Sequence, residues 1–474
     1  QDSPEYIELC RKGAYASALR LITEKNPLPF ITGTICAHNC MTKCMRNYYD
    51  EPVNIRATKL VAAEKGYDAY MSKITPPAPV TDGRKVAVIG GGPTGMSAAY
   101  FVGRAGIPVT LFEKADRLGG IVRQVIPAFR ISDEAIDKDV ALMEKMGVEV
   151  KLNTEAPSVA ELKAQGYTHI FFAVGAWKAG RLDIPGNVVP VIGWLRDMKA
   201  GKDVSLGHVA VVGGGNTAMD AARAALRAGA KSSTLVYRRT KKYMPADAEE
   251  LEMAIADGVE FLELVAPVEQ KDGKLICEKM KLGDPDDKGR RKPVPTGEMV
   301  EIPCDTVISA VGEKVESEVF TRNGITVDEK GIPAFKTNLE RVYAGGDAMR
   351  GPATVVEGIA DAQYFANAVI GEAHKFAIPA KAVATREEAV AKKGVLCESA
   401  KCEGDRCLTC NVVCQVCADV CPNRANVVIE LPDGRQQILH VDRMCNECGN
   451  CAVFCPYDSA PYRDKFTLFL TREG

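Results

Sequence analysis

Seventeen cysteines stand in these 474 residues, and their spacing is the first thing that could do chemistry. Four lie in the first 44 residues and eleven between Cys397 and Cys455; only Cys277 and Cys304 fall between. Near the C-terminus, Cys445-x2-Cys448-x2-Cys451-x3-Cys455-Pro456 follows the spacing that holds a [4Fe–4S] cubane. Three closely spaced thiolates wrap one cluster, and the cysteine before proline crosses to a second. The partner run, Cys407-x2-Cys410-x3-Cys414-x2-Cys417-x3-Cys421-Pro422, is irregular. It carries one cysteine more than needed, with Asn411 where strict spacing wants a thiolate. Four of the five serve, and spacing does not choose the spare. Cys397 and Cys402 read as bystanders. Two [4Fe–4S] clusters are expected here, with a zinc site as the alternative. At the other end, Cys36, Cys40 and Cys44 can converge on a further cluster, which needs a fourth ligand. Either Cys10 supplies it or ligands lie upstream of Gln1. Buried core thiols are the competing reading, and His38 reads as a local hydrogen-bonding residue.

A second chemistry lies in two glycine turns. Val86 to Ile89 is apolar and runs into Gly90-Gly-Gly92-Pro93-Thr-Gly95; a helical pattern and a second β-rich run follow, ending at Glu113-Lys114. Strand, glycine turn, helix, strand and acid are the parts that a dinucleotide needs. Gly90 allows the turn and Gly92 brings backbone N–H groups to the pyrophosphate. Gly95 lets helix and strand close up, and Glu113 accepts ribose hydroxyls. Gly119-Gly120, Arg130 and Gly175 are expected to line the same cofactor. The pattern returns at Val209, with Gly213, Gly215-Asn216-Thr217 and Ala218 at the corresponding turn. Its second strand ends in Tyr237-Arg238-Arg239, where guanidinium groups can grip a 2′-phosphate; a solvated basic strand end is the bland alternative. One acid-marked and one arginine-marked site point to FAD first and NADPH second. Later, a strand ends at Gly312. Gly346-Asp347 ends another strand, ahead of a helix entered at Ala353-Thr354. Asp347 is placed to meet a ribityl hydroxyl, or it simply caps a helix.

Several elements must position these groups. Glu5–Leu21 and Ile55–Met71 carry helical periodicity, broken by Asn26-Pro27-Leu28-Pro29. Thr75-Pro-Pro-Ala-Pro79 reads as a stiff linker, Gly283–Pro295 as a solvent-facing charged loop, and 376–396 as a second linker. The expected divisions are a helical iron–sulfur domain (1–75), an FAD domain (82–198 and 305–375), an NADPH domain (199–304) and a ferredoxin-like domain (397–474). A net charge of −2 suggests no nucleic-acid partner, and no apolar run approaches the ~20 residues of a membrane span. Many cysteines in a large nucleotide-binding chain without a signal-peptide pattern fit a reducing cytoplasm better than a disulfide scaffold. The opening Gln reads as a processed or partial product.

With these residues in hand, positions 20–375 resemble the small subunit of glutamate synthase and the matching half of dihydropyrimidine dehydrogenase. The shared residues include Asn26-Pro-Leu-Pro, Cys36/Cys40/Cys44, Asp50-Glu-Pro-Val-Asn-Ile55, Gly90–Gly95, Gly213-Gly-Gly-Asn-Thr-Ala-Met-Asp220, Tyr237-Arg-Arg239, Met244-Pro-Ala246 and Gly346-Asp347. With the tail included, the chain resembles the bacterial iron–sulfur subunits grouped with selenate reductase. The resemblance implies an α/β fold of two Rossmann-like domains, the NADPH domain inserted in the FAD domain. A helical domain with one or two [4Fe–4S] clusters precedes them and a bacterial-type 2[4Fe–4S] ferredoxin domain follows. Relatives supply further N-terminal ligands from an upstream run and place a glutamine ligand near the position of Lys59, where lysine is a poor substitute.

The implied function is an NADPH-dependent flavin and iron–sulfur oxidoreductase passing electrons to a partner subunit, with a molybdenum enzyme as the expected partner in a hetero-oligomer. The alternative is an electron-transfer and docking subunit with no turnover of its own. A disulfide reductase would need a paired redox motif, and Cys277 and Cys304 are single. No Ser-His-Asp or paired-carboxylate constellation competes, and no catalytic acid or base is assigned.

Overall fold

The computed structural model describes residues 2–471 apart from 49, 205, 286–290, 372–398, 409–414, 433–435 and 456–458. Cys397, Cys410, Cys414 and the expected linker 376–396 therefore lie outside the described residues. The chain packs as two units, Gln1–Ile74 with Ala373–Gly474, and Thr75–Glu372.

In the first unit the helical stretch predicted over Glu5–Leu21 is two helices, α1 (Ser3–Arg11) and α2 (Tyr15–Thr23). Gly13 breaks it: at φ +74° it turns the chain, and its N–H bonds the Cys10 carbonyl. Apolar periodicity continues across the break because both helices bury onto one core, so periodicity alone did not show it. α3 (Pro29–Ile35) and α4 (Ile55–Met71) complete the bundle, α4 capped by the Asn54 side chain accepting from the Ala57 N–H. Tyr6, Ile7, Cys10, Leu21, Ile22, Ile55 and Ala62 form the core.

The second unit holds two parallel five-stranded sheets. The first has the order β15-β4-β1-β2-β3. Its strands are β1 (Val86–Ile89), β2 (Val109–Phe112), β3 (Glu149–Lys151), β4 (His169–Phe172) and β15 (Val342–Ala344), with helix α5 (Pro93–Arg104) between β1 and β2. The fully buried runs of β1, β2 and β4 are those of strands covered on both faces, and β3 is the more exposed edge. A two-stranded link of β5 (Lys178–Ala179) and β14 (Glu313–Lys314) marks where the chain leaves this sheet and returns to it. Between the crossings lies the second sheet, β6-β13-β7-β8-β9. It is built from β6 (Val188–Pro190), β7 (His208–Gly213), β8 (Ser232–Tyr237), β9 (Glu260–Glu263) and β13 (Thr306–Ala310). Helix α6 (Asn216–Arg227) joins β7 to β8, and α7 (Ala248–Ala256) precedes β9. One dinucleotide-type fold is thus inserted in another.

The predicted charged loop Gly283–Pro295 is instead largely strand. β10 (Val265–Lys271), β11 (Lys274–Pro285) and β12 (Arg291–Pro303) form an antiparallel sheet, with 286–290 outside the described residues. The segment is exposed as expected. The β11–β12 ladder, which pairs Leu282 with Pro293 and Pro285 with Arg291, overrides its charged, proline-containing composition, and ion pairs such as Lys279–Glu298 and Lys274–Glu301 join the same two strands nearer their other ends. Helix α8 (Val355–Ile370) closes the unit under a Thr354–Glu357 capping box.

The tail begins with α9 (Ala400–Arg406), which packs on α1. Ala400 joins the helical core, and a side chain at Gly404 would sit 2.6 Å from Arg11 Cβ. Arg406, 2 % exposed, donates to both Glu403 oxygens (2.8 and 2.9 Å), to Asp50 (3.3 Å) and to the Glu51 carbonyl (2.8 Å). Arg46 forks onto Asp50 and also donates to the Arg406 carbonyl at 3.0 Å. Glu403 in turn accepts the Asn54 N–H at 2.8 Å. The residues that open the expected ferredoxin-like domain are therefore built into the N-terminal bundle. Beyond them, β16 (Asn426–Glu430), β17 (Gln436–Val441) and β18 (Phe466–Leu468) form a small sheet. No described helix is long and apolar enough to cross a membrane.

Removing one partner of a buried ion-pair network leaves charges uncompensated, at a cost of about 3–5 kcal/mol. Arg406→Ala is expected to destabilise the first unit by an amount of that order, read as a lowered denaturant midpoint with unchanged m-value. An unchanged midpoint would show that the tail is not anchored there.

Candidate functional site

The first glycine turn is a surface made by missing side chains. Gly90, at φ +104°, could carry no Cβ without meeting the Ala173 carbonyl oxygen at 2.5 Å. A Cβ on Gly95 would lie 1.8 Å from the Gly90 oxygen, and one on Gly120 would lie 2.8 Å from Gly92 Cα. The turn thus brings bare backbone to the N-terminus of α5, where N–H groups are unsatisfied and the helix dipole favours phosphate. Glu113, 8 % exposed, directly follows β2 and accepts from the Gly91 N–H (2.6 Å) and the Ala115 N–H (2.7 Å). A carboxylate has about four acceptor positions, so two remain for ribose hydroxyls. Pro93 opens α5, Lys114 is exposed, and Gly119 and Gly175 take positive φ beside the turn.

Asp347 follows β15 and accepts the Ala353 N–H at 3.1 Å, bridging the turn between Gly346 and Thr354. Burial, opposed by that hydrogen bond and reinforced by Glu313 and Glu357, pushes its carboxyl up to about 6. Gly346, at φ +65°, has no room for a Cβ, which would lie 2.3 Å from Thr94 Oγ1. Sequence reasoning missed Asp361 on α8. It is 1 % exposed, accepts the Gly346 N–H at 2.9 Å and pairs with Arg350. No local motif flagged it, because its role depends on β15 and α8 meeting.

At the second turn, a Cβ on Gly213 would lie 2.3 Å from the Ala310 oxygen, and one on Gly214 would lie 2.4 Å from the Tyr237 ring. Gly215 caps α6, and Ala218 is buried within it. Exposed Asn216 exchanges hydrogen bonds with Asp247, and the Ala246 N–H returns to the Gly214 carbonyl at 3.0 Å. The Met244-Pro-Ala246 segment therefore backs the turn. Arg239 donates to the Arg291 carbonyl (3.4 Å), whereas Arg238 is exposed with no ion-pair partner among the described residues. Gly312, at φ +104°, lies beside the link, its carbonyl bonded to the Gly180 N–H.

Arg130, expected at the cofactor, is committed elsewhere. It forks onto Glu250 on α7 (2.5 Å twice) and reaches Asp220 on α6 at 2.6 Å, tying the outer fold to the inserted one. Burial pushes Asp220 up to about 6 although Arg130 pulls it down. Neither acid was legible as a partner, since they lie 90 and 120 positions away.

In the tail, a pocket is lined by Cys421, Cys445, Cys448 and Cys451, with His440 and Tyr462 in its wall. Three cysteines of one run thus meet the pre-proline cysteine of the other. Backbone N–H groups already point at sulfur, Ala425 at Cys421 (3.1 Å) and Glu447 at Cys445 (3.3 Å); such contacts tune cluster potential. Cys417 is buried beside Cys451, and Cys455 is partly buried. In the bundle, Cys40 has Lys59, Cys36 and Cys44 as electrostatic neighbours. Cys10 is wholly buried, its sulfur 3.9 Å from the Thr58 carbonyl, and burial pushes its thiol up to about 12. Among the described residues no three or more Cys, His, Asp or Glu side chains gather as a single-ion site. A cubane is a wider object, held by thiolates at its corners.

The pyridine nucleotide-disulphide oxidoreductase model matches residues 84–362, and the dihydropyrimidine dehydrogenase domain II, 4Fe-4S cluster model matches residues 1–69. The chain is 42 % identical to the Escherichia coli oxidoreductase YgfK over 99 % of its length, covering 48 % of that protein. It is 35 % identical to the beta subunit of the NADP(+)-dependent formate dehydrogenase of Moorella thermoacetica, covering 76 % of this chain and 56 % of that one. The small chain of the NADPH glutamate synthase of Halomonas elongata is 32 % identical, over 75 % and 82 % of the two chains. The chain spans about half the length of the first two relatives.

The raised carboxyl of Asp347 gives a signed pH dependence. A group that holds its proton more tightly when folded contributes fully below its unfolded value, and the contribution is lost as pH rises through the folded one. Between about pH 4 and about pH 6, the Asp347 contribution in flavin-free protein falls as pH rises, so Asp347→Asn is expected to shift the slope of stability against pH upward, towards greater stability at higher pH, in urea titrations. Equal slopes in both proteins would refute the assignment.

Proposed function

This chain belongs to the pyridine nucleotide-disulphide oxidoreductases, in the NADPH-dependent flavin and iron–sulfur group that includes the glutamate synthase small chain, and from that premise we propose that it carries electrons from NADPH through FAD and [4Fe–4S] clusters to a partner subunit. The observation that carries the reading is the contrast between the two turns. The first follows its second strand with a carboxylate that has acceptor positions to spare, and the second with an exposed guanidinium that has no ion-pair partner among the described residues. Bound at these turns, the isoalloxazine and nicotinamide supply hydride chemistry, and the clusters supply one-electron transfer.

The residues bind and orient these groups. Gly90, Gly92, Gly95 and Gly120 bring backbone to the FAD pyrophosphate, Glu113 takes ribose hydroxyls, and Asp347 faces the ribityl chain. Gly213, Gly215 and Ala218 seat the NADPH pyrophosphate, with Arg238, seconded by Arg239, on its 2′-phosphate. In the tail, Cys421 with Cys445, Cys448 and Cys451 suit one cluster, leaving Cys410, Cys414 and Cys417 with Cys455 for a second. Cys36, Cys40 and Cys44 belong to an N-terminal cluster. Relatives named as subunits, the formate dehydrogenase beta chain among them, support a partner subunit, and a molybdenum enzyme is the partner we favour.

Each charge-assisted hydrogen bond is worth about 1.5–3 kcal/mol, so Arg238→Ala is expected to lower kcat/KM for NADPH roughly 10- to 100-fold in artificial-dye reduction. NADH, lacking the 2′-phosphate, should be little affected. Parallel losses for both nucleotides would remove Arg238 from the site, and no dye reduction by the unaltered chain would favour a docking subunit without turnover.

A further inference from the structure

Three cysteines of the tail, Cys397, Cys402 and Cys407, are left over by the count above, and Cys407 packs against the core of the N-terminal bundle. We propose that Cys407 is the fourth thiolate, with Cys36, Cys40 and Cys44, of an N-terminal [4Fe–4S] cluster. The inference rests on the reading that those N-terminal cysteines hold a cluster, and it deepens that reading.

The first argument is placement. Cys407 caps α9, directly after Arg406, whose buried pairs fix the end of that helix to Asp50 and Glu51. Cys407 and Cys44 pack, with Met41, against the same core. The second is an orphaned polar atom. The Tyr6 hydroxyl belongs to a side chain 1 % exposed and reaches no partner at hydrogen-bond geometry, with Ser3 beside it. Cys40, Cys10 and Cys407 are the sulfurs within its electrostatic reach. A buried phenol left unpaired costs about 1–3 kcal/mol; a sulfur of a bound cluster would accept a hydrogen bond from its O–H. The third is charge. Lys59 is 5 % exposed, lies 3.5 Å from Thr32 Oγ1 and is a near neighbour of Cys40. A cluster ligated by four thiolates is anionic, and a buried ammonium offsets that charge. A buried lysine at this position thus supplies counter-charge, and the fourth ligand comes from the tail.

Cys10, the candidate within the bundle itself, is a poorer choice. It is wholly buried, its sulfur directed at the Thr58 carbonyl. In the tail, Cys421, Cys445, Cys448 and Cys451 share one pocket, so releasing Cys407 still leaves eight cysteines for two cubanes.

The test compares Cys407→Ser, Cys40→Ser, Cys10→Ser and Cys451→Ser in the full chain, purified without oxygen. Iron and sulfide are measured with low-temperature EPR of the reduced protein. Cys407→Ser is expected to lose about four irons and the EPR component lost in Cys40→Ser, while keeping the component lost in Cys451→Ser; Cys10→Ser should keep both. Loss of the Cys451 component instead, or full iron in Cys407→Ser alongside loss in Cys40→Ser, overturns the proposal. Full iron in both Cys40→Ser and Cys407→Ser overturns the reading beneath it. Alkylation of the unaltered protein, mapped by mass spectrometry, is independent of variant folding. Cys407 should be protected and become reactive together with Cys40 when iron is stripped; equal reactivity before and after stripping contradicts it.

Discussion

Backbone pressed against backbone is the constraint on which this chain depends. Where Gly95 crosses Gly90, a methyl group would sit 1.8 Å from a carbonyl oxygen. That contact sets the first turn of α5 against β1, and the absence of side chains at Gly92 and Gly120 leaves the bare backbone that we propose as the pyrophosphate surface. The second turn repeats the device with Gly213 against Ala310. The neighbouring strand distinguishes the two sites further, with Glu113 holding its own turn in one and Arg238 facing solvent in the other.

Electrostatics then does different work in the two units. In the second, Arg130 spans from the outer fold to Glu250 and Asp220 of the inserted one, so three buried charges are met at the seam between nucleotide folds. In the first, Arg46 and Arg406 surround Asp50 and Glu403, joining segments more than 350 positions apart. Buried ion pairs of this kind contribute little net stability against apolar replacements but are costly to break, which suits parts that must hold one arrangement.

Both nucleotide folds were legible in the sequence because their signals are local: an apolar strand, a glycine turn and a helix lie within thirty residues of one another. The insertion of one fold in the other followed from the resemblance, and the parallel sheets agree with it. The break at Gly13 was hidden because both helices bury the same face. The ribbon at β11 and β12 was hidden because cross-strand pairing, a non-local property, outweighs charge and proline content. The partners of Arg130 were hidden for the same reason. Its arginine is local, but its acids lie on α6 and α7, and only the folded sheet brings them together. Cysteine spacing suggests clusters in the tail without choosing a spare thiol; the packing of α9 on α1 supports the choice of Cys407 that we propose.

The central claim is that electrons enter from NADPH at the second turn, pass to flavin at the first and leave through the clusters. Anaerobic stopped-flow mixing of the purified chain with NADPH, and separately with NADH, tests it most directly by following flavin and cluster absorbance together. The account predicts fast flavin bleaching with NADPH, cluster bleaching after it, and a much slower response to NADH. Cluster bleaching ahead of flavin, or no bleaching with either nucleotide, would contradict it.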